Sequence, residues 1–200
     1  MNNNLDSQMQ RRKFLKTTSI ALLGLSAIGT TGLYLWLNSK PSEQDLTLDV
    51  ALRHLQSLKI ALKNQRLTSE GQWQLNQIFE HCAQSIEYSI SGYPLHKSDI
   101  FKTTVGALAF SVFARNGSMT HNLAEAIPGA PALDIGTNDT QAGLISLQRL
   151  MTALENFSQY QGKLAPHFAY GELSKVEYEL AHVMHLRNHF QELHIIAANS

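Results

Sequence analysis

The sequence predicts an all-α protein, a four-helix bundle with an additional short helix and a long loop. Two observations support this prediction. Apolar residues recur at helical spacing in five segments, and no stretch alternates apolar and polar residues as a half-buried strand does. A composition of 44 % hydrophobic and 16 % charged residues among 200 allows one domain with a buried core. Helices joined by connections of mixed length favour a bundle.

The spacing of the apolar residues and the positions of capping residues define the bounds of the predicted helices. They span residues 46–66, 70–91, 99–115 and 139–160, and a last helix follows the S-x-x-E capping box that starts at Ser174.

The third predicted helix leads into a long segment without a period. Its apolar stripe runs through Phe101, Val105, Leu108 and Val112, and the aperiodic segment covers residues 117–138. In a compact domain such a segment is usually functional or mobile. We expect either a lid over one end of the bundle, with His121 as a spare candidate ligand, or a surface excursion.

The N-terminal 40 residues predict export across a membrane. The residues of the motif are Arg11, Arg12, Phe14, Leu15 and Lys16, in the order RRKFLK. With the uncharged run 17–37 behind it, this motif resembles a twin-arginine export signal. The run can span a bilayer, which needs ~20 apolar residues, and Tyr34 and Trp36 lie where interfacial anchors lie. We expect a retained N-terminal hydrophobic helix as anchor, with cleavage, or a plain anchor with incidental arginines, as alternatives.

Residues 1–40 are therefore predicted as signal, anchor and linker, and residues 41–200 as the bundle domain. The first part holds 5 of the 16 basic and 1 of the 16 acidic residues, which leaves 11 basic and 15 acidic residues in the domain. A domain charge of about −4 excludes nucleic-acid binding through a basic patch. The single cysteine, Cys82, excludes an internal disulfide, and its place on an apolar stripe indicates a buried thiol.

The last helix carries a histidine-rich face. At ~100° per residue, Tyr178, His182, His185 and His189 fall on one narrow stripe. His185 and His189, four positions apart, present two nitrogens to one point, as helical zinc motifs do. The alternative is a mildly polar surface stripe. A metal site needs a third ligand, and spacing alone leaves His81 open between a solvent-facing residue and a ligand.

Several of these residues match a known pattern. Trp73-Gln74-Leu75 with His81 on one helix, and His185-xxx-His189 on the last, are similar to the DinB-like (YfiT-like) superfamily of metal-dependent four-helix bundles. Longer runs resemble the domain-of-unknown-function 1569 branch of that superfamily; they lie at residues 80–89, 127–131 and 167–174. The resemblance covers about residues 46–195. The sequence departs from the branch at Asn188, where a histidine is frequent, and at Phe168, where a proline is frequent.

The resemblance implies a metal site formed by His81, His185 and His189, with His182 and Tyr178 supporting the ligands. Zn²⁺ or Ni²⁺ is expected first, and Fe²⁺ or Mn²⁺ next. Three histidines leave open coordination positions, which is typical of a catalytic ion. Because ligands must be neutral imidazoles, metal loss is expected below about pH 5.5 to 6.

The function expected from this resemblance is a metal-dependent transferase of the thiol type, or a hydrolase, with an unidentified small-molecule substrate. The alternatives are a non-catalytic, membrane-anchored metal-binding module and an interaction domain. The expected partners are the twin-arginine translocon and the cytoplasmic membrane through residues 17–37. The domain is expected on the periplasmic side, anchored or soluble, and association into a homodimer is left open.

Overall fold

The computed structural model describes residues 32–36, 39–133 and 139–196. These residues are mostly helical, which confirms the predicted helical class, and they include one two-stranded sheet. The α-helices are α1 (Leu48–Lys63), α2 (Leu75–Ser91), α3 (Asp99–Phe101), α4 (Ala107–Asn116), α5 (Thr140–Gln159) and α6 (Lys175–His189). The strands are β1 (Leu67–Ser69) and β2 (Leu193–Ile195).

Helices α1, α2, α5 and α6 share one hydrophobic core. Helix α2 packs along α5 and against α6, and α1 also contacts both α5 and α6. Each of the four helices contributes a side chain with 0 % exposure to this core; these are Leu55, Ile78, Leu150 and Val183. The packing places α2 beside α6, so residues on their facing sides can meet.

Side-chain caps determine where the last two long helices begin. The Asp139 carboxylate accepts a hydrogen bond from the Ala142 N–H, at the start of α5. Ser174 Oγ accepts from the Glu177 N–H, and the Glu177 carboxylate accepts from the Ser174 N–H. This is the capping box that the sequence predicted, and it begins α6.

The sheet corrects the expectation that no strands form. Strand β1 pairs with β2 in antiparallel register, with Leu67 opposite Ile195 and Ser69 opposite Leu193. Strands of three residues are too short to show an alternation of apolar and polar residues. Because β1 and the turn after it occupy the chain, α2 begins at Leu75, later than the predicted residue 70.

The predicted third helix is present but interrupted. A π-helical turn, Lys102–Gly106, joins α3 to α4. The stripe through Val105, Leu108 and Val112 is exposed, at 57 %, 67 % and 46 %, whereas Phe110 is buried. A π turn inserts one residue, which rotates the helix beyond it by ~100°. This rotation explains why the stripe of an ideal helix faces outward here.

Residues 32–36 are helical and pack on the domain. Leu33 and Trp36 are buried, and Trp36 Nε1 donates a hydrogen bond to the Asp45 carbonyl oxygen at 2.9 Å. Trp36 thus contacts protein, where the sequence predicted an anchor at a membrane interface. The remainder of the predicted segment 17–37, like the arginine motif, lies outside the described residues. In the part of the chain that the structure describes, no helix has the length and apolar character required to cross a bilayer.

Candidate metal centre

Four histidines from separate parts of the chain converge next to α6. His81 lies on α2, His185 and His189 lie on α6, and His121 lies in the loop after α4. Their Nε2 atoms are 3.2 Å apart for His81 and His185, 3.1 Å for His185 and His189, and 3.1 Å for His189 and His121. One ring nitrogen of each residue lies within 4.8 Å of the others. These four residues are called the histidine cluster below.

Hydrogen bonding alone does not account for the histidine cluster. The Nε2 atom of a neutral imidazole carries either one N–H or one lone pair, so it forms one well-directed hydrogen bond. His185 and His189 each face two neighbouring nitrogens, so only two of the three contacts can be good hydrogen bonds. A cation between the rings would instead accept a lone pair from all four nitrogens.

Burial keeps the histidine cluster uncharged. Desolvation, with added repulsion from neighbouring histidines, lowers the pKa of His81 to about 3 and that of His189 to about 2. The same two causes hold the pKa of His185 well below its usual value, and desolvation lowers the pKa of His121. Neutral imidazole is the form that binds a metal, so the histidine cluster is already in its ligating state at neutral pH.

The spacing of the three contacting nitrogen pairs fits a single transition-metal ion, and the other pairs lie within 4.8 Å. Zn–N bonds of ~2.0–2.1 Å in a tetrahedral arrangement place the ligand nitrogens ~3.3 Å apart. The measured separations of the contacting pairs are 3.1 to 3.2 Å. Imidazole donors suit Zn²⁺, Ni²⁺ and Fe²⁺, whereas Mn²⁺ prefers oxygen ligands. The donor set therefore fits three of the four expected ions well and Mn²⁺ least.

Two neighbouring side chains hold the rings of the histidine cluster. Nδ2 of Asn188 lies 2.7 Å from Nδ1 of His121 and can donate to it, and a half-turn of the amide would let its oxygen accept the Nδ1–H when Nε2 faces the other histidines. The Trp73 ring is parallel to His189 at 5.8 Å and tilted against His81 at 4.9 Å. In the part of the chain that the structure describes, Nδ1 of both His81 and His189 is buried without a hydrogen-bond partner. Packing against Trp73, rather than a hydrogen bond at Nδ1, therefore orients these two rings.

A cavity of about 150 Å³ opens beside the histidine cluster. His81, His121 and His185 line one side of it. Glu125 and Ile127, from the same loop as His121, line another. The aperiodic segment of the sequence therefore forms part of a cavity wall and brings a histidine to the site.

A family model described as a protein of unknown function (DUF1569) matches residues 40–195. The chain belongs to this family. The matched range contains all four residues of the histidine cluster and the residues that line the adjoining cavity. No curated protein and no solved structure matches this DUF1569 chain.

Two further predicted site residues of the DUF1569 chain form hydrogen bonds that lead away from the histidine cluster. His182 lines the same cavity, and its Nε2 lies 3.2 Å from Ser89 Oγ. Tyr178 donates its hydroxyl hydrogen to the Ala165 carbonyl oxygen at 2.7 Å. The sequence predicted that both residues support the ligands, whereas these contacts tie them to α2 and to the link before α6.

From the sequence, His121 was only a spare candidate ligand and Asn188 had no predicted role. His121 lies in a segment without a period, so no spacing rule relates it to the histidines of α2 or α6. The available signal was the presence of a histidine in a long aperiodic segment. Asn188 directly precedes a ligand candidate on α6, and its contact with His121 depends on how the loop folds back.

Proposed function

We propose that this DUF1569 chain binds one divalent transition-metal ion at the histidine cluster and uses it in catalysis on a small molecule. The observation that carries the proposal is the convergence of four imidazoles on one point beside a cavity. Zn²⁺ and Ni²⁺ are expected first, then Fe²⁺, and Mn²⁺ last, because every donor is a nitrogen.

The histidine cluster would hold the ion, and the rest of the cavity would hold the substrate. A divalent ion bound there would lower the pKa of a coordinated water or thiol. Among the described residues that line the cavity, Glu125 is the carboxylate, and it is exposed at the mouth. It is therefore placed to exchange a proton between a bound molecule and solvent. The negative charge of Glu125 also favours the protonated form of His121, because it acts to raise the pKa of that ring.

The reaction class rests on the resemblance to the DinB-like superfamily. The position of one candidate ligand on α2 and two on α6 supports membership of this superfamily. Thiol transfer is the class that the resemblance implies, and hydrolysis is the second. A fourth histidine, His121, adds to the ligand set that the resemblance implied.

A non-catalytic metal-binding module is the second candidate. Four nitrogen ligands complete a tetrahedral shell, which is typical of closed structural sites and leaves no position for a substrate. The four-histidine composition of the histidine cluster favours this candidate. The adjoining cavity favours the first.

Metal analysis and an activity screen test the two candidates. The purified full chain is loaded separately with each of the four ions, and one bound equivalent per chain is expected for the preferred ion. Loading far below one equivalent with every ion would overturn both candidates. Thiol-transfer and hydrolysis assays are then run before chelation, after chelation and after metal is restored. Activity that follows the metal supports the enzyme, and a fully loaded but inactive protein supports the module.

We also propose export by the twin-arginine route to the periplasmic side of the cytoplasmic membrane. The RRKFLK motif, with Arg11 and Arg12, supports this proposal. That route carries folded proteins with their cofactors, which suits an ion acquired in the cytoplasm. Cell fractionation should find the wild-type protein outside the cytoplasm and the Arg11→Lys, Arg12→Lys double variant inside it. Equal distribution of the two proteins would exclude the route.

A further inference from the structure

A second, larger cavity of about 400 Å³ lies between residues 39–41, the end of α4 and α6. Its lining mixes polar and apolar side chains, and the polar ones include Lys40, Asn116, Ser118, Arg187, Asn188 and Gln191. Two of these residues are cations, and none of the described residues in the lining is a carboxylate. The proposed metal function does not use this cavity.

Arg187 is buried in the wall of this cavity with an incomplete set of partners. It is 7 % exposed, and its Nη2 donates a hydrogen bond to the Ser39 carbonyl oxygen at 3.0 Å. Its Nη1 is buried and has no hydrogen-bond partner among the described residues. The guanidinium lies 4.9 Å from the centre of the Trp36 ring. Within the described residues, no carboxylate oxygen lies within ion-pair distance of it.

Burying a guanidinium without a matching anion is unfavourable. Desolvation lowers the pKa of Arg187, and attraction to Asp45 opposes this shift only in part. The Asp45 carboxylate already accepts hydrogen bonds from the N–H and the hydroxyl of Ser42. The cavity wall therefore contains a positive charge that no carboxylate of the described residues pairs with.

We propose that this cavity binds a small organic oxyanion, a carboxylate or a phosphate ester, with Arg187 as the anchoring cation. The guanidinium fork matches two oxygens of either group. Lys40 adds a second positive charge, and Asn116 and Ser118 add neutral hydrogen-bond donors. The volume lies within the range of small-molecule sites, ~300–1,000 Å³, so it can hold an organic body as well as the charged group.

The cavity is connected to the histidine cluster through Asn188. This residue lines the cavity, and its amide lies 2.7 Å from Nδ1 of His121. An anion that accepts a hydrogen bond from the Asn188 amide nitrogen would turn the amide oxygen toward His121. That orientation accepts the His121 Nδ1–H and leaves Nε2 free to bind metal. Anion binding should therefore strengthen metal binding, although the anion site itself does not depend on a metal.

The test uses Trp36 as a reporter because it stacks on Arg187. The chain has two tryptophans, so Trp73→Phe leaves Trp36 as the only one. The metal-free full chain in this background is titrated with inorganic phosphate and with succinate, at constant ionic strength set by chloride. A saturable change in fluorescence is expected for at least one probe. The probe that binds more tightly tells whether the site prefers a phosphate or a carboxylate.

Variants assign the binding to Arg187, with calorimetry as the measurement because the change also alters the surroundings of Trp36. Arg187→Met keeps an apolar stem and removes the charge, and it should weaken binding at least about tenfold. Lys40→Met, at an exposed residue, should weaken it about threefold. Arg53→Met removes an exposed cation on α1 that does not line the cavity, and it should leave the affinity unchanged.

Two results would overturn the proposal. The first is a response to phosphate and succinate no larger than that to chloride. The second is equal affinity in the wild type and Arg187→Met. If Arg187→Met does not fold, Lys40→Met and Ser118→Ala decide the matter, and unchanged affinity in both rejects the site. An inert cavity together with a destabilised Arg187→Met variant would mean that Arg187 only holds Trp36 and Ser39 against α6.

Discussion

The histidine cluster and a second group, His167 and His182, both contain buried histidines, but the two groups differ in their partners. Burial lowers the pKa of His81, His167 and His182 alike to about 3. In the second group, other groups of the protein form hydrogen bonds with the ring nitrogens. Nδ1 of His167 shares its one lone pair between the N–H groups of Ala169 and Tyr170, at 3.1 and 3.2 Å. His167 and His182 are called the bonded pair below.

The partner of His182 also fixes where its proton lies. Ser89 donates its hydroxyl hydrogen to the Ile86 carbonyl oxygen at 2.6 Å, so at 3.2 Å from Nε2 of His182 its oxygen acts as the acceptor. His182 therefore carries its proton on Nε2 and is a donor. In the histidine cluster the Nε2 atoms face one another instead. Burial and a low pKa thus do not distinguish a ligand from a packed histidine, whereas convergence without sufficient partners does.

Removing one histidine from each group should give the largest effects and tests whether the two groups differ in metal binding. His185 contacts both His81 and His189 through Nε2, so His185→Ala removes a central donor. Metal affinity should fall more than about 100-fold, beyond the effect of residues that only orient ligands. Competition with a chelator of known affinity measures the change.

The matched variant is His182→Ala, on the same helix and in the same cavity wall. It should keep one equivalent of metal while it lowers the free energy of unfolding, because Ser89 loses its donor and a space is left in the core. Equal loss of metal in both variants would show that His182 belongs with the ligands and that the division into two groups is wrong.

The helical part of this fold was predictable because apolar residues keep one period over several turns. Helix α5 was predicted at residues 139–160 and is found at Thr140–Gln159. The sheet and the π turn Lys102–Gly106 depend on residues far apart in the chain, and local spacing does not contain that information. Gly106, for example, lies so close to the Ala169 carbonyl oxygen that a Cβ there would clash with it.

From spacing alone, the site was predictable only for the two candidate ligands that share one helix, His185 and His189. His182 and His185 share a stripe on α6, and spacing alone did not separate their roles, although the resemblance implied that His185 is a ligand and His182 its support. Helix α2 separates them, because it presents Ser89 to His182 and His81 to His185. That pairing depends on the register between two packed helices. The contribution of the loop through His121 depends on tertiary structure in the same way.

Acid should affect the bonded pair strongly. The folded-state pKa of both histidines is lowered from 6.5 to about 3, so the unfolded chain takes up their protons first as the pH falls. The stability that their neutral forms contribute is complete above pH 6.5. It is lost between pH 6.5 and 3, at ~1.4 kcal/mol per pH unit for each histidine. Urea unfolding of the metal-free protein at a series of pH values measures this slope.

The histidine cluster should release its metal at a lower pH than the sequence suggests. Ordinary imidazoles place the release below about pH 5.5 to 6. Burial lowers the pKa of His81 to about 3 and of His189 to about 2, so release should occur together with unfolding. Parallel measurement of bound metal and circular dichroism tests this. Release near pH 6 from a protein that stays folded would contradict the assigned burial.

Loss of the Asn188 amide should have a smaller effect on metal than loss of a ligand. Asn188→Ala removes the group that faces Nδ1 of His121 at 2.7 Å, and metal affinity should fall ~10- to 100-fold. Gln191→Ala, in the same large cavity, is the control and should leave the affinity unchanged. An affinity as high in Asn188→Ala as in the wild type would mean that His121 needs no support, or that three histidines suffice.

The smallest effect is expected for Ser89→Ala, which should change the free energy of unfolding without changing the metal affinity. Ser89→Ala leaves the buried Nε2–H of His182 without an acceptor, so the free energy of unfolding should fall by ~1–2 kcal/mol. Ser91→Ala is the matched control on the same helix, because the Ser91 hydroxyl is exposed and donates only to the Glu87 carbonyl oxygen. Metal affinity should not change in either variant. A change in metal affinity in Ser89→Ala alone would mean that the bonded pair acts on the metal centre through α6.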